Sequence, residues 1–175
     1  LQALTTNQIK ALTTDQMSAL STAQVQLLQT TQVAALSSLQ VAKLSSDAIA
    51  SLTTDQVKQL STAALNALSS DQLAAMESGS IAALTTAQLS KLTTAQLVKL
   101  STAQIESFTT DQTQALTTAQ IASLTSDQVN NMASDDLKAL TTAQVKALTT
   151  AQISTLTAAQ IALMETTDIA ALTAA

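Results

Sequence analysis

The sequence is marked first by the residue types that it lacks. Among 175 residues there is no cysteine, histidine, tryptophan, tyrosine, proline or arginine, and there is one glycine and one phenylalanine. These absences exclude disulfides, Cys or His metal sites, thiol nucleophiles and mechanisms that need a histidine. They also exclude glycine-rich phosphate loops and aromatic platforms for stacking bases. We therefore predict that the chain is not an enzyme, and that it has no catalytic, cofactor-binding or metal-binding residue and no small-molecule substrate.

Charge and hydropathy narrow the class of protein further. Seven lysines against twelve acidic residues give a net charge of −5. Because proteins that grip a phosphate backbone are basic, we predict no nucleic-acid partner. No apolar run approaches the roughly 18 residues of a membrane span, so we predict no membrane insertion. The absence of cysteine favours an extracellular or cell-surface location, where an unpaired thiol is a liability.

The strongest signal is an internal repeat of eight residues. From Leu4 the chain divides into octapeptides without insertion or deletion, as far as Ala175. Position one is Leu in 18 of 22 units and otherwise Met or Phe, and position six is apolar in every unit except that of Thr113. Positions two and three are Ser or Thr in 18 and 20 of 22 units, and position five is Gln in 16 of 21. We interpret residues 1–175 as one repeat array without a linker or a second domain.

A period of eight excludes a single continuous helix. At about 100° per residue, the leucine stripe would rotate by about 80° around the helix with each unit, so no face could stay buried. A β-solenoid is the alternative that stays open, since Thr and Val suit strands. The abundant Ala and Gln, and the near absence of turn-forming residues, speak against it.

A short helix that restarts in every unit explains the pattern best. With position two as the N-cap, position five becomes N3, and Ser/Thr-x-x-Gln is a capping box. Positions one and six then become the two sites of a hydrophobic staple. All seven lysines lie at positions seven or eight, and eleven of twelve acids lie at positions two, four or five, with Glu106 as the exception. This sorting matches the dipole of each short helix.

Short helices of this kind are stable only against their neighbours. We therefore predict an all-α solenoid, a superhelix of very short helices with one helix per unit, in which positions one and six line the interior. The chain bends at the Leu-Thr step, so neither glycine nor proline is required. We interpret the glutamines as closing the capping boxes; the alternative is a Gln ladder between stacked turns.

Some units deviate from the pattern. The unit of Glu77 and Gly79 places Gly at N2 and loses the capping Gln, and the unit of Ala133 loses the N-cap hydroxyl. Phe108 and Thr113 exchange large and small side chains across one staple. Asp135-Asp136 is the only acidic pair, and it has no second cluster or calcium loop that would make it a metal site.

Two resemblances follow from these residues. The Leu-Thr-x-x-Gln-Val/Ile start, with Asp15, Asp55 and Asp111 at the acidic site, resembles the helix start of TAL-effector repeats. The two repeats share only the capping of the helix start, because this chain lacks the proline, the longer repeat and the base-reading loop of TAL-effector repeats. The array from Leu4 to Ala175 resembles the Ala-Leu-Thr-Thr-x-Gln octapeptide tracts of very long bacterial proteins that are secreted or attached to the cell surface. This second resemblance implies a scaffold or spacer, and the start and stop inside units lead us to expect a fragment of a larger protein.

The predicted function is therefore structural: a spacer, stalk or filament scaffold in a large exported bacterial protein. The alternative is an adhesive or ice-binding surface made of the regularly spaced Thr-Thr pairs, which the same array would carry. The predicted partners are the neighbouring repeats and, through the ends of the array, other copies of the chain.

Overall fold

The computed structural model describes residues 1–173, and within them each octapeptide from Leu4 onward forms one short helix. The last two residues of the predicted array, 174 and 175, lie outside the described residues. The helices are α1 (Thr6–Lys10), α2 (Thr14–Ser18), α3 (Thr22–Gln26), α4 (Thr30–Ala34), α5 (Ser38–Ala42), α6 (Ser46–Ala50), α7 (Thr54–Gln59), α8 (Thr62–Ala67), α9 (Ser70–Ala74), α10 (Ser78–Ala82), α11 (Thr86–Leu89), α12 (Thr94–Leu97), α13 (Thr102–Glu106), α14 (Thr110–Ala115), α15 (Thr118–Ser123), α16 (Ser126–Asn130), α17 (Ser134–Ala139), α18 (Thr142–Lys146), α19 (Thr150–Thr155), α20 (Ala158–Leu163) and α21 (Thr166–Thr173).

The prediction of restarted helices is confirmed, and the β-solenoid alternative is wrong: residues 1–173 contain no strand. The physical reason is the capping chemistry at position two. Thr117, for example, has extended dihedrals of φ −71° and ψ 158°, its hydroxyl accepts from the Gln120 N–H, and the Gln120 side chain accepts from the Thr117 N–H. Most bends between helices are thus closed by capping hydrogen bonds within one unit.

No unusual backbone conformation is needed at the bends. None of the described residues has a positive φ or a cis peptide bond. The chain leaves the helical region at positions one and two, as at Leu116 (φ −63°, ψ 136°) and the Thr117 that follows. This confirms the bend at the Leu-Thr step.

The helices are arranged as a solenoid in which each helix packs on the third one after it. The pairs α4 with α7, α5 with α8 and α16 with α19 are examples, and the same spacing recurs from α1 to α21. Positions one and six form one continuous core from Ile9 to Met164, as predicted. Phe108 and Thr113 are both buried in this core.

The predicted charge sorting is also present. Asp55 and Lys58, for instance, lie in the first and last turns of α7. All seven lysines are exposed. Four lie in the last turn of their helices, where the dipole favours a cation, namely Lys10, Lys58, Lys138 and Lys146, and the other three follow the end of a helix. Among residues 1–173 no helix is long and apolar enough to cross a lipid bilayer.

Candidate functional site

The candidate functional site of this molecule is the interface between successive turns of the solenoid. The position-five glutamine forms it, because its side chain makes hydrogen bonds in two directions. In Gln120 the side-chain oxygen accepts from the Thr117 N–H at 2.8 Å within the same unit. Its side-chain nitrogen donates to the carbonyl oxygens of Leu89 at 3.1 Å and Leu92 at 2.8 Å, which belong to the preceding turn.

This arrangement is repeated along most of the chain. The acceptors lie 28, 30 or 31 residues before the glutamine, so each glutamine bonds to the units three and four before its own. The glutamines that bridge in this way are Gln32, Gln40, Gln56, Gln72, Gln88, Gln96, Gln104, Gln112, Gln120, Gln128, Gln144, Gln152 and Gln160. All of them except Gln160 are buried.

The acceptors of these bonds are carbonyl groups in the last turn of a short helix and just after it. The position-six carbonyl, as at Leu65, also accepts from the N–H three residues later. The last carbonyls of any helix lack an intrahelical donor. Gln96 donates at 2.9 Å to Leu65, inside α8, and at 2.9 Å to Leu68, just after it. One side chain therefore satisfies the start of its own helix and the end of a helix in the turn before.

The interpretation of the glutamines from sequence was incomplete. The capping boxes are present, but the same amides also bind the neighbouring turn. They bind main-chain carbonyls, so the arrangement is not a ladder of Gln on Gln. The signal that could have indicated this role is that Gln, and not Glu, occupies position five: either side chain can complete a capping box, whereas only the amide can also donate to a carbonyl.

Five units lack this glutamine, and three of them have a short side chain in its place. Ala48, Ala64 and Ser80 are buried at position five. None of them reaches a carbonyl of the preceding turn. The units of Glu77 and Ala133 also lack a side-chain bond at the N-cap, which the sequence analysis predicted for Ala133.

Asp136 is the most unusual of the five substitutions. It is 3% exposed, and its Oδ2 atom has no hydrogen-bond partner. Burial, and after it the neighbouring charge of Asp135, raise the pKa of Asp136 to about 6. An ionised carboxylate cannot donate to the carbonyls that a glutamine would reach from this position, which explains why it has no partner.

Asp168 is the second buried aspartate at position five and is 5% exposed. Beside it lies an open pocket of about 350 Å³ between the last described turns. The lining residues are Gln114, Lys138, Ala139, Leu140, Thr141, Thr142, Glu165 and Asp168. Because Asp is one methylene shorter than Gln, it does not fill the space that the amide takes up in other units.

Asp136 and Asp168 do not belong to a metal-binding cluster in the described part of the chain. Within residues 1–173 there is no group of three or more His, Cys, Asp or Glu side chains that could hold a metal ion. Asp135 is exposed while Asp136 is buried, so the acidic pair predicted from sequence does not present two carboxylates to one site. The chemistry of the interface is hydrogen bonding along the axis of the array.

Taken together, the fold and the inter-turn bonds define a helical solenoid repeat protein. The sequence model of the ALTTAQ repeat matches the chain five times, at residues 1–30, 26–62, 54–86, 81–118 and 129–164. The chain therefore belongs to the ALTTAQ repeat family. Neither a search of curated proteins nor a search of solved structures found a match to it.

Proposed function

We propose that this array is a stiff structural element, a spacer, stalk or filament scaffold, within a large exported bacterial protein, and that it has no catalytic role. The observation that carries the proposal is the regular series of glutamine bonds between turns. It begins with Gln32 donating to Leu4 and continues to Gln160 donating to Asn130. Membership in a repeat family supports the same conclusion.

The hydrogen bonds between turns make the array resist bending. A chain of octapeptides connected only through its backbone could bend at each Leu-Thr step. The hydrogen bonds of the glutamine side chains and the continuous core join units to others three to four units away. Bending of the array would therefore have to break buried contacts. Each added unit should therefore extend the array by a constant rise.

Small-angle X-ray scattering of arrays with different numbers of units tests this proposal. We expect the longest dimension to grow in proportion to the number of units. A variant with Gln88, Gln96 and Gln104 all changed to Ala removes three consecutive bridges and should scatter as a bent or broadened rod. Growth with the square root of length, as for a flexible linker, would contradict the spacer role.

The location outside the cell is part of the same proposal. The lack of cysteine in all 175 residues supports it, because such a chain needs no reducing compartment. Protease treatment of intact producing cells checks it. We expect the array to be cut in intact cells, and full protection until the cells are lysed would contradict a surface location.

The alternative function is an adhesive or ice-binding surface, and one observation favours it. Thr118 is exposed and its hydroxyl takes no part in capping, which Thr117 performs. Exposed threonines at position three recur along the array, as at Thr54 and Thr94. Thermal hysteresis of the purified chain distinguishes the two functions, because a plain spacer should show none.

A further inference from the structure

The helix α17 is connected by a glutamine to neither of the turns between which it lies. In other units the position-five amide links its own helix to the fourth helix before it, as Gln96 of α12 does with Leu65 of α8. In α17 the position-five residue is Asp136, and the residue that would donate to the last carbonyls of α17, 28 to 31 residues later, is Asp168. An ionised carboxylate has no proton to donate, so both connections are missing.

The hydrogen bonds within the α17 unit are incomplete as well. Ala133 has no side-chain oxygen that could cap the start of the helix. At its end, the N–H of Leu140 lacks the bond by which Leu148, one unit later, donates to Val145 at 3.1 Å. Among the described side chains, the buried oxygen atoms without a hydrogen-bond partner lie in α14, α16 and α17: Thr113 Oγ1, Asn130 Oδ1 and Asp136 Oδ2. Unsatisfied groups are thus concentrated where two connections between turns are missing.

The helix α6 provides an internal comparison, because both of its glutamine connections are missing too. Its position-five residue is Ala48, and Ser80 is the residue that would donate to its last carbonyls. The α6 unit keeps its other bonds: the Ser45 hydroxyl accepts from the Ala48 N–H at 3.1 Å, and the Ser51 hydroxyl donates to Thr22 of the turn before at 3.4 Å. The helix α17 therefore differs from α6 in its missing cap and in its buried acid.

We propose that α17 is a pH-dependent joint of the array: the unit of residues 132–139 opens locally at neutral pH while the units on either side stay folded, and it closes in acid. The closed unit holds the Asp136 carboxylate in a buried place without a donor, and opening returns its charge to water. Protonation removes the charge, so the closed unit is then favoured. The joint goes beyond the spacer role, which requires stiffness but no unit that opens.

The charges around Asp136 favour its neutral form. The helix α20, which packs on α17, has no charged residue. The titratable groups on the other elements around Asp136 are Asp135 and Lys138 on α17, Asp111 on α14, Glu106 at the end of α13, and Glu165 and Asp168 at the start of α21. Five acids thus surround Asp136 with a single lysine. Burial, and after it the charge of Asp135, raise the pKa of Asp136 from 3.8 to about 6, so opening increases as the pH rises from about 4 to 6.

Hydrogen–deuterium exchange of the native chain at pH 4.5 and pH 7.5 tests the proposal. The rates are expressed as protection factors, so that the intrinsic pH dependence of amide exchange cancels. At pH 7.5 we expect residues 132–139 to be less protected than α15 and α19, whose capping boxes and glutamine connections to the preceding turn are present. The opening constant of residues 132–139 should rise about 25-fold from pH 4.5 to pH 7.5, as a pKa of about 6 in the closed unit and 3.8 in the open one requires. The opening constant of α6 should not change in this way.

Three variants separate the acid from the missing cap. Asp136→Asn keeps the shape of the side chain without its charge and should abolish the pH dependence. Ala133→Ser restores a cap and should raise protection at both pH values with the 25-fold ratio unchanged. The matched control is Asp127→Asn, at an exposed acid of the preceding helix, which should exchange like the native chain.

Circular dichroism checks that each variant is folded. Protection of residues 132–139 equal to that of α15 at pH 7.5 overturns the proposal and leaves the spacer role intact. A pH dependence that persists in Asp136→Asn, or one of equal size along the whole array, overturns it as well.

Discussion

Thr113 shows how a single side chain can depart from the repeat at a measurable cost. It occupies position six, where every other unit has an apolar residue, and it is fully buried with no partner for its hydroxyl. A buried hydroxyl without a hydrogen bond costs about 1–3 kcal/mol. The neighbouring core already accommodates the shape of the side chain.

We therefore expect Thr113→Val to raise the free energy of unfolding by about 1 kcal/mol, because valine has the same shape without the hydroxyl. Chemical denaturation measures the change. The control is Thr117→Val, which makes the same replacement at an N-cap and should lower stability by about 0.5–2 kcal/mol. Loss of stability in both variants would show that the Thr113 hydroxyl has a partner.

Asp136 makes stability depend on pH, and the direction follows from its raised pKa. Its pKa is about 6 in the folded chain against 3.8 ordinarily, so the folded state binds the proton more tightly. Stability from this group is present below about pH 4 and is lost as the pH rises through 6. The charged groups on its own helix and on α14, which packs against that helix, are Asp135, Lys138 and Asp111.

Asp136→Gln should restore the amide of the repeat and remove the titration. We expect the variant to be more stable than the native chain by about 1–2 kcal/mol at pH 7, with a smaller difference at pH 4. Urea titrations at pH 7 and at pH 4 give the difference in unfolding free energy between the variant and the native chain. The titration of the other acidic residues cancels in this difference, because both proteins contain them. A stability difference that does not change with pH would contradict the role assigned to Asp136.

At the scale of the element, the short helix depends on a neighbouring turn for one of its two ends. Its first N–H groups are satisfied within its own unit, whereas its last carbonyls receive a further donor from the following turn, as when Gln96 donates to Leu65 and Leu68. A helix of five or six residues makes too few internal bonds to be stable alone. The amide at position five is therefore as important as the cap.

The Gln96→Glu variant separates the contribution of the capping box to stability from that of the hydrogen bonds between turns. Glu retains an oxygen for the Thr93 N–H but sets a carboxylate against two carbonyls, so we expect a loss of about 2–4 kcal/mol at neutral pH. Gln16→Glu is the matched control at the same repeat position, since Gln16 is exposed and bonds only within its own unit. Thermal melts of both variants check the prediction. Equal losses would mean that the bond between turns adds nothing to stability.

At the scale of the whole molecule, the screw relation between units predicts which deletions are tolerated. Removing Leu92 to Lys99 deletes one complete unit and joins Lys91 to Leu100. Gln104 then comes to lie 28 residues after Leu68 and can take over the carbonyl that Gln96 had bonded. Every remaining helix keeps its cap and its core positions.

Removing seven residues, Leu92 to Val98, shifts the following units out of the register that the eight-residue deletion preserves. Lys99 is left as an extra residue before Leu100, and the units that follow are rotated by about 100° relative to the stack. We expect the eight-residue deletion to melt in one transition near that of the native chain, and the seven-residue deletion to melt in two. Calorimetry measures both, and indistinguishable melting of the two deletions would contradict the solenoid.

The sequence by itself determined the local structure of this protein. The octapeptide register, the N-caps such as Thr117, the bend at Leu116 and the core positions all depend on groups within about five residues of one another. Their chemistry is complete inside one unit, so the pattern alone predicts them. The same local chemistry identified Ala133 as an N-cap without a side-chain bond.

Only the tertiary structure decided how the units stack. All units are nearly equivalent, so no longer period in the sequence records that each helix packs on the third one after it, or that each glutamine bonds 28 to 31 residues back. This spacing arises from a rotation and a rise that are repeated at every unit, and packing of the whole array sets both. The second bond of each glutamine and the burial of Asp136 follow from the stacking, because their partners belong to a turn about 30 residues away.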